Sequence, residues 1–152
     1  MTKYWAVIEP FWNDLPTDSP AAYLDFYDSL PPVARNLLTT RWVFSEVSNG
    51  GFHQLFTNPT GLLVPEAIGG FRSMGLADLA DITASACSFF AQPYPREQVS
   101  RIEALESYAA RAISEDDWNP FQDLDERFYV ALELESSRDT YTTGADAYAT
   151  ND

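Results

Sequence analysis

Glu46-Val47-Ser48-Asn49-Gly50-Gly51-Phe52-His53-Gln54-Leu55-Phe56-Thr57-Asn58 joins two helical patterns with no loop-length segment between them. The run from Val33 to Ser48 is helix-like, and Asn49-Gly50-Gly51 reads as its stop, because Asn and Gly tolerate the left-handed conformation that ends helices. Phe52, Leu55 and Phe56 resume an i, i+3, i+4 apolar spacing at once, which predicts a second short helix with that face buried. A sharp bend between two buried helices frees backbone donors and acceptors that must find partners. Glu46, Asn49, Gln54 and Asn58 stand beside it. The reading assigns Glu46 to backbone groups freed at the bend, Asn49 to the left-handed cap position, and Gln54 and Asn58 to the remaining donors and acceptors.

These residues also carry a resemblance. Glu46, Val47, Asn49, Gly50, Gly51, Phe52, Gln54, Phe56 and Asn58 complete the pattern Glu-Val-x-Asn-Gly-Gly-Phe-x-Gln-x-Phe-x-Asn. The chain resembles in this the bacterial DNA-mimic family of the DMP type, a domain family without an assigned activity for most members. The likeness extends to Tyr4-Trp5 and Ile8-Glu9-Pro10 upstream, and to Pro65-Glu66-Ala67, Gly75 and Leu124-Asp125-Glu126-Arg127-Phe128-Tyr129 downstream. It implies a fold shared along nearly the whole chain, a basic DNA-binding protein as partner, and a homodimer, for which aromatics near Trp5, Trp12 or Tyr141 are candidate contacts.

Working outward from the bend, Lys3 to Asp14 places Trp5, Ile8, Phe11 and Trp12 at helical spacing, and Pro16 ends the pattern. Ser19-Pro20 is a cap followed by proline in the first helical position, opening a helix to about Ser29 whose inward side is Tyr23, Phe26, Tyr27 and Leu30. Pro31-Pro32 separates it from the central helix, which buries Val33, Leu37, Leu38, Trp42 and Phe44. Pro65 opens a helix that Gly75 closes, weakened by Gly69-Gly70. Leu76 to Ala91 follows, with Leu79, Ile82 and Ala86 inward. Then Arg96 to about Ile113 has Val99, Ile102, Leu105 and Tyr108 on one face. Phe121 to about Leu134 repeats Leu124, Phe128, Ala131 and Leu132 inward. The tail from Ser136, with Tyr141 and Tyr148 as anchors, reads either as a last helix or as a loosely packed end. No strand-type alternation and no internal repeat stands out, so residues 1–152 are expected to form a single all-α domain of seven or eight helices.

With 152 residues, of which 45% are hydrophobic, such a domain buries roughly two-thirds of its unfolded surface. The lone Cys87, in the apolar run Ala84 to Ala91, reads as a buried inert thiol in a reducing compartment. The N-terminus lacks a basic-then-apolar leader and no run approaches the ~20 apolar residues that span a bilayer, so a soluble cytoplasmic protein without membrane contact is expected.

Enzyme chemistry has little to stand on. No phosphate-binding or dinucleotide glycine motif is present. His53, the one histidine, with Glu46 or Gln54 offers a thin case for a metal or a proton transfer beside the simpler reading of a half-buried packing residue. Asp123-Leu124-Asp125 begins like a calcium loop, but Phe128 occupies the position that needs Gly. The expectation is no catalytic residue, no metal and no cofactor.

Charge supplies the remaining signal. The formal net charge is −14, and it is uneven: from Met1 to Ala34 five acids face one base, from Arg35 to Arg101 five face five, and from Ile102 to Asp152 thirteen face three. Such a chain repels nucleic acid and anionic membranes and attracts basic protein surfaces, so no direct nucleic-acid binding is expected. Glu103, Glu106, Glu115, Asp116, Asp117, Asp123, Asp125, Glu126 and Glu133 form the candidate contact face. Carboxylates at i, i+3, as in Glu103/Glu106 and Asp123/Glu126, stand roughly 5–6 Å apart on a helix. Rows of this kind imitate, coarsely, the phosphate charge that DNA-binding proteins meet with Lys and Arg. Three readings stay open: a DNA mimic that blocks a transcription factor, an inhibitor or immunity-type protein against a basic toxin or nuclease, and a solvated acidic surface without a partner.

Overall fold

The computed structural model describes residues 1–133 and 139–150. Those residues form eight α-helices and no strand: α1 (Lys3–Ile8), α2 (Pro20–Ser29), α3 (Pro32–Thr57), α4 (Val64–Ser73), α5 (Ala77–Cys87), α6 (Gln98–Ala110), α7 (Gln122–Leu132) and α8 (Thr140–Ala149). Turns of 3-10 helix follow α1 (Glu9–Asp14) and α3 (Pro59–Leu63). The all-α expectation holds.

Local chemistry explains most boundaries. Ser19 Oγ accepts from Ala22 N at 3.2 Å, capping α2 with Pro20 in its first turn. At the end of α4, Gly75 takes φ 73°. There the N–H groups of Gly75 and Leu76 donate to the carbonyls of Arg72 and Phe71 at 3.0 and 2.9 Å, the paired closure that a left-handed glycine allows. The first helix is shorter than its apolar spacing predicts: α1 stops at Ile8 and the chain continues in 3-10 turns, because Pro10 has no N–H to extend the ladder. Gly70 has a packing role. A Cβ there would stand 2.8 Å from Thr40 Cγ2 and 3.1 Å from the Asn36 carbonyl, so its bare backbone lets α4 lie close on α3.

α3 is the axis of the core. α1, α4, α6, α7 and α8 all pack on it, α5 bridges α4 and α7, and α8 lies along α1. Leu37, Leu38, Val43, Val47, Phe52, Leu55 and Phe56 are buried along its length. Phe52 meets Phe128 edge-on with ring centroids 5.5 Å apart, and Phe56 meets Phe90 and Phe121 at 4.8 and 5.1 Å. The C-terminal segment is a helix firmly held: Tyr141 is fully buried, its hydroxyl is 2.9 Å from Thr40 Oγ1, and its ring stacks on Phe44 at 4.7 Å. Asp146 Oδ1 accepts from the backbone N–H of Tyr4 at 3.0 Å, closing α8 on α1. Tyr141 is thus unavailable for contact with a second copy, and Trp5 and Trp12 are half-buried against each other at 5.0 Å. Residues 134–138 of the expected α7 end and tail lie outside the described residues.

Candidate protein-interaction surface

The bend is a break inside α3. Gly50 takes φ −152°, ψ 16° and Gly51 φ 77°, ψ −178°, after which the helix resumes at Phe52. No non-glycine residue has positive φ among the described residues, so Asn49 is not the left-handed cap; the positive φ falls on Gly51, whose ψ puts it in the extended region reserved for glycine. The restart leaves the Phe52 N–H without a helical acceptor, and Asp125 Oδ1 of α7 takes it at 2.8 Å. Glycine is required for this approach as well as for the dihedral, since a Cβ on Gly51 would stand 2.5 Å from Asp125 Oδ2.

Asp125 therefore leaves the acidic face on which the sequence places it. It is half-buried, and burial pushes its carboxyl above the ordinary Asp range, against the opposing pull of hydrogen bonds from the Phe52 N–H and the Asn119 side chain. Tyr129, one turn on, donates its hydroxyl to the Val47 carbonyl at 2.9 Å. Two side chains of α7 are thus pinned to the two sides of the break.

The motif polar groups bond mainly to one another. Glu46 Oε2 accepts from Gln54 Nε2 at 3.1 Å and Asn58 Nδ2 at 2.7 Å, while Asn49 Nδ2 donates to Gln54 Oε1 at 3.2 Å. Glu46 thus reaches side-chain amides where backbone partners are expected. The backbone work at the far end of α3 falls to Arg101, which is fully buried. Its guanidinium donates to the carbonyls of Phe56, Asn58, Arg96 and Pro95 at 2.9, 2.9, 2.7 and 3.2 Å, and Gln98 Nε2 donates to the Thr57 carbonyl at 2.9 Å. Burial lowers the pKa of this arginine, with Tyr94 and Glu97 opposing the shift. The inward face of α6 is accordingly Arg101 and Leu105, and Val99 is 66% exposed, contrary to its sequence assignment.

With Asp125 and Tyr129 turned toward α3, the opposite flank of α7 overlies α5. Asp123, Glu126, Arg127 and Val130 line a groove of about 510 Å³ together with Asp78, Asp81 and Ile82 of α5. Asp78 and Asp81 come from the stretch whose charges cancel in the sequence, so composition gives no sign of them. Arg72 pairs with Asp81 at 3.0 Å across exposed side chains, a contact that water screens heavily. Val130, 65% exposed, adds an apolar side chain to this acidic rim.

The other candidate acids lie elsewhere. Glu133 is exposed but takes φ −68°, ψ 133° just past the end of α7, so it is not part of the helical row. Glu103 and Glu106 are exposed on α6, and Glu115, Asp116 and Asp117 are exposed in the turn after it, with Ser114 Oγ donating to Asp117 Oδ2 at 2.9 Å. Glu106 borders a separate cavity of about 260 Å³ with His53, Leu105 and Trp118. His53 packs edge-on against Trp118 at 4.8 Å, and its Nδ1 is 3.5 Å from Thr57 Oγ1. Burial lowers its pKa, and the Asp125 charge opposes that.

Among the described residues no cluster of three or more His, Cys, Asp or Glu side chains is arranged to hold a metal ion, and no helix is long and apolar enough to cross a membrane. Cys87 is buried and unpaired, its thiol pushed up to about 11 by burial.

No curated protein and no solved structure shows significant similarity to the chain. A family model described as DMP19-like protein matches residues 28–149, from the end of α2 through α8, and the chain belongs to that family.

Proposed function

We propose that this chain is an acidic, DNA-mimic-like binding protein that occupies the basic DNA-binding surface of a partner such as a transcription factor. The observation that carries the reading is the α5–α7 groove, where Asp78, Asp81, Asp123 and Glu126 flank one channel with Arg127 as the only basic residue in its lining among the described residues. DNA offers a DNA-binding protein two rows of phosphates across a groove. Two helices that each present carboxylates a turn apart offer a coarse counterpart, with exposed Val130 adding an apolar contact beside them. Membership of the DMP19-like family, a DNA-mimic family, supports the same reading. The Gly50-Gly51 break then has a functional consequence: it receives Asp125 and so fixes which flank of α7 faces outward.

The test is affinity capture from the native cell's lysate at low and high salt, comparing the parent with a variant carrying Asp78→Asn, Asp81→Asn, Asp123→Asn and Glu126→Gln. The reading expects recovery of a DNA-binding protein by the parent alone, lost as salt rises and displaced by duplex DNA. Recovery of a basic toxin or nuclease would move the function to inhibition. Equal recovery by parent and variant would remove the groove from it.

A further inference from the structure

We propose that a second site, the cavity between α6, the C-terminal end of α3 and Trp118, receives an arginine side chain from a basic protein partner. Ile102, Glu106 and Ala109 recur at i, i+4 and i+7, so one face of α6 supplies one wall. His53 and Thr57 of α3 supply another, and Trp118 a third. The cavity measures about 260 Å³, below the roughly 300–1,000 Å³ of small-molecule sites, which suits a single long side chain better than a cofactor.

Each wall meets a different part of an arginine. Glu106 is exposed and has neither a hydrogen-bond nor an ion-pair partner among the described residues, so its carboxylate is free for the two-pronged pairing that a planar guanidinium favours. Trp118 remains 44% exposed although its ring meets His53 at 4.8 Å, which leaves indole surface for the cation to lie against. Ile102 and Ala109, both half-buried, offer apolar surface to the methylene stem. The His53 ring, its pKa lowered by burial, is neutral at pH 7 and adds no repelling charge. Lysine fits less well, because its compact ammonium neither pairs in that forked geometry nor stacks as a plane.

Charge favours the same occupant. Among the described residues no base lines the cavity, and Arg111 lines a different one, beside Tyr108 and Asp117. Thirteen acids against three bases from Ile102 onward draw cationic surfaces to this part of the chain. An acidic or neutral anchor would forfeit that attraction. The source of the arginine rests on the reading above, in which the partner is a basic DNA-binding protein; the cavity itself shares no lining residue with the α5–α7 groove.

The experiment is an NMR titration of the full chain with the blocked peptide acetyl-Gly-Arg-Gly-amide and its lysine and citrulline counterparts, read on the ring protons of His53, the sole histidine. Saturable shifts are expected for the arginine peptide, with binding about threefold or more weaker for the lysine peptide and no saturable binding for the uncharged citrulline one. Glu106→Gln and Trp118→Leu should each weaken arginine binding about threefold. Asp123→Asn, which removes the same unit of charge in the groove, should leave it within about 1.5-fold. Glu106 is exposed and helical, so its glutamine variant carries the test if Trp118→Leu disturbs the turn. Equal weakening by Glu106→Gln and Asp123→Asn, equal affinity for the arginine and lysine peptides, or absence of a saturable His53 shift would overturn the proposal. The titration needs no cellular partner, so its failure and the failure of the lysate capture are separate results.

Discussion

Replacing Gly51 with alanine tests the physical account of the break. Gly51 sits at φ 77°, ψ −178°, a region open in practice only to glycine, and forcing a side chain into such a conformation costs about 1–3 kcal/mol. The new Cβ would stand 2.5 Å from Asp125 Oδ2 and 2.9 Å from its Cγ, so the carboxylate must also withdraw from the Phe52 N–H. Losing that cap adds about 1–2 kcal/mol. The combined cost of about 2–5 kcal/mol converts, at roughly 2–4 °C per kcal/mol for a chain of this size, to a melting temperature lower by about 4–20 °C. Far-UV circular dichroism during heating and in urea reads it directly. Asp125→Ala alone should cost the cap only, and the double variant should cost less than the two singles together, because the clash disappears with the carboxylate. Melting of Gly51→Ala within about 1 °C of the parent would refute the strain argument. Strict additivity would refute the contact with Asp125.

Arg101→Met should destabilise by about 3–5 kcal/mol, because it leaves the carbonyls of Phe56, Asn58, Pro95 and Arg96 without their donor in a buried site; Arg101→Lys should fail to restore stability, which urea unfolding measures. His53 has a folded pKa below its unfolded value of about 6.5, so the unfolded chain takes up the proton first as pH falls. Stability should therefore decline as pH drops from about 6.5 to the lower folded value, and His53→Phe should lessen that slope in unfolding titrations. Cys87, buried with a pKa near 11, should react slowly with a thiol reagent at pH 8 in the native protein and quickly once urea unfolds it.

What the sequence reveals depends on whether the deciding interaction is local. Ser19-Pro20, Asn49-Gly50-Gly51 and Gly75 act within a few residues of themselves, and the structure breaks or caps its helices at those points. Apolar spacing likewise identifies the buried sides of α3 and α7. On α6 it places Leu105 correctly but counts exposed Val99 inward and misses Arg101, because periodicity counts arginine as polar, whereas Arg101 is an inward residue whose charge is spread over four carbonyls. The i, i+4 relation of Arg101 to buried Leu105 is the one local trace of this. Asp125 looks like any other acid of its run, since its acceptor role depends on a backbone N–H 73 positions away. Asp78 and Asp81 join the acids of α7 only through the packing of α5 on α7, which no segment-by-segment charge count registers.

The most direct test of the functional account places a photo-crosslinking residue at Val130, in the groove, and in a separate variant at Val99 on α6. The two positions are matched in exposure at 65% and 66%, so they differ in location rather than access. Both variants are irradiated in native lysate with and without duplex DNA. The account expects a DNA-binding protein crosslinked through position 130, little through position 99, and loss of the crosslink when DNA competes. Equal crosslinking at both positions, or a groove crosslink indifferent to DNA, would contradict it.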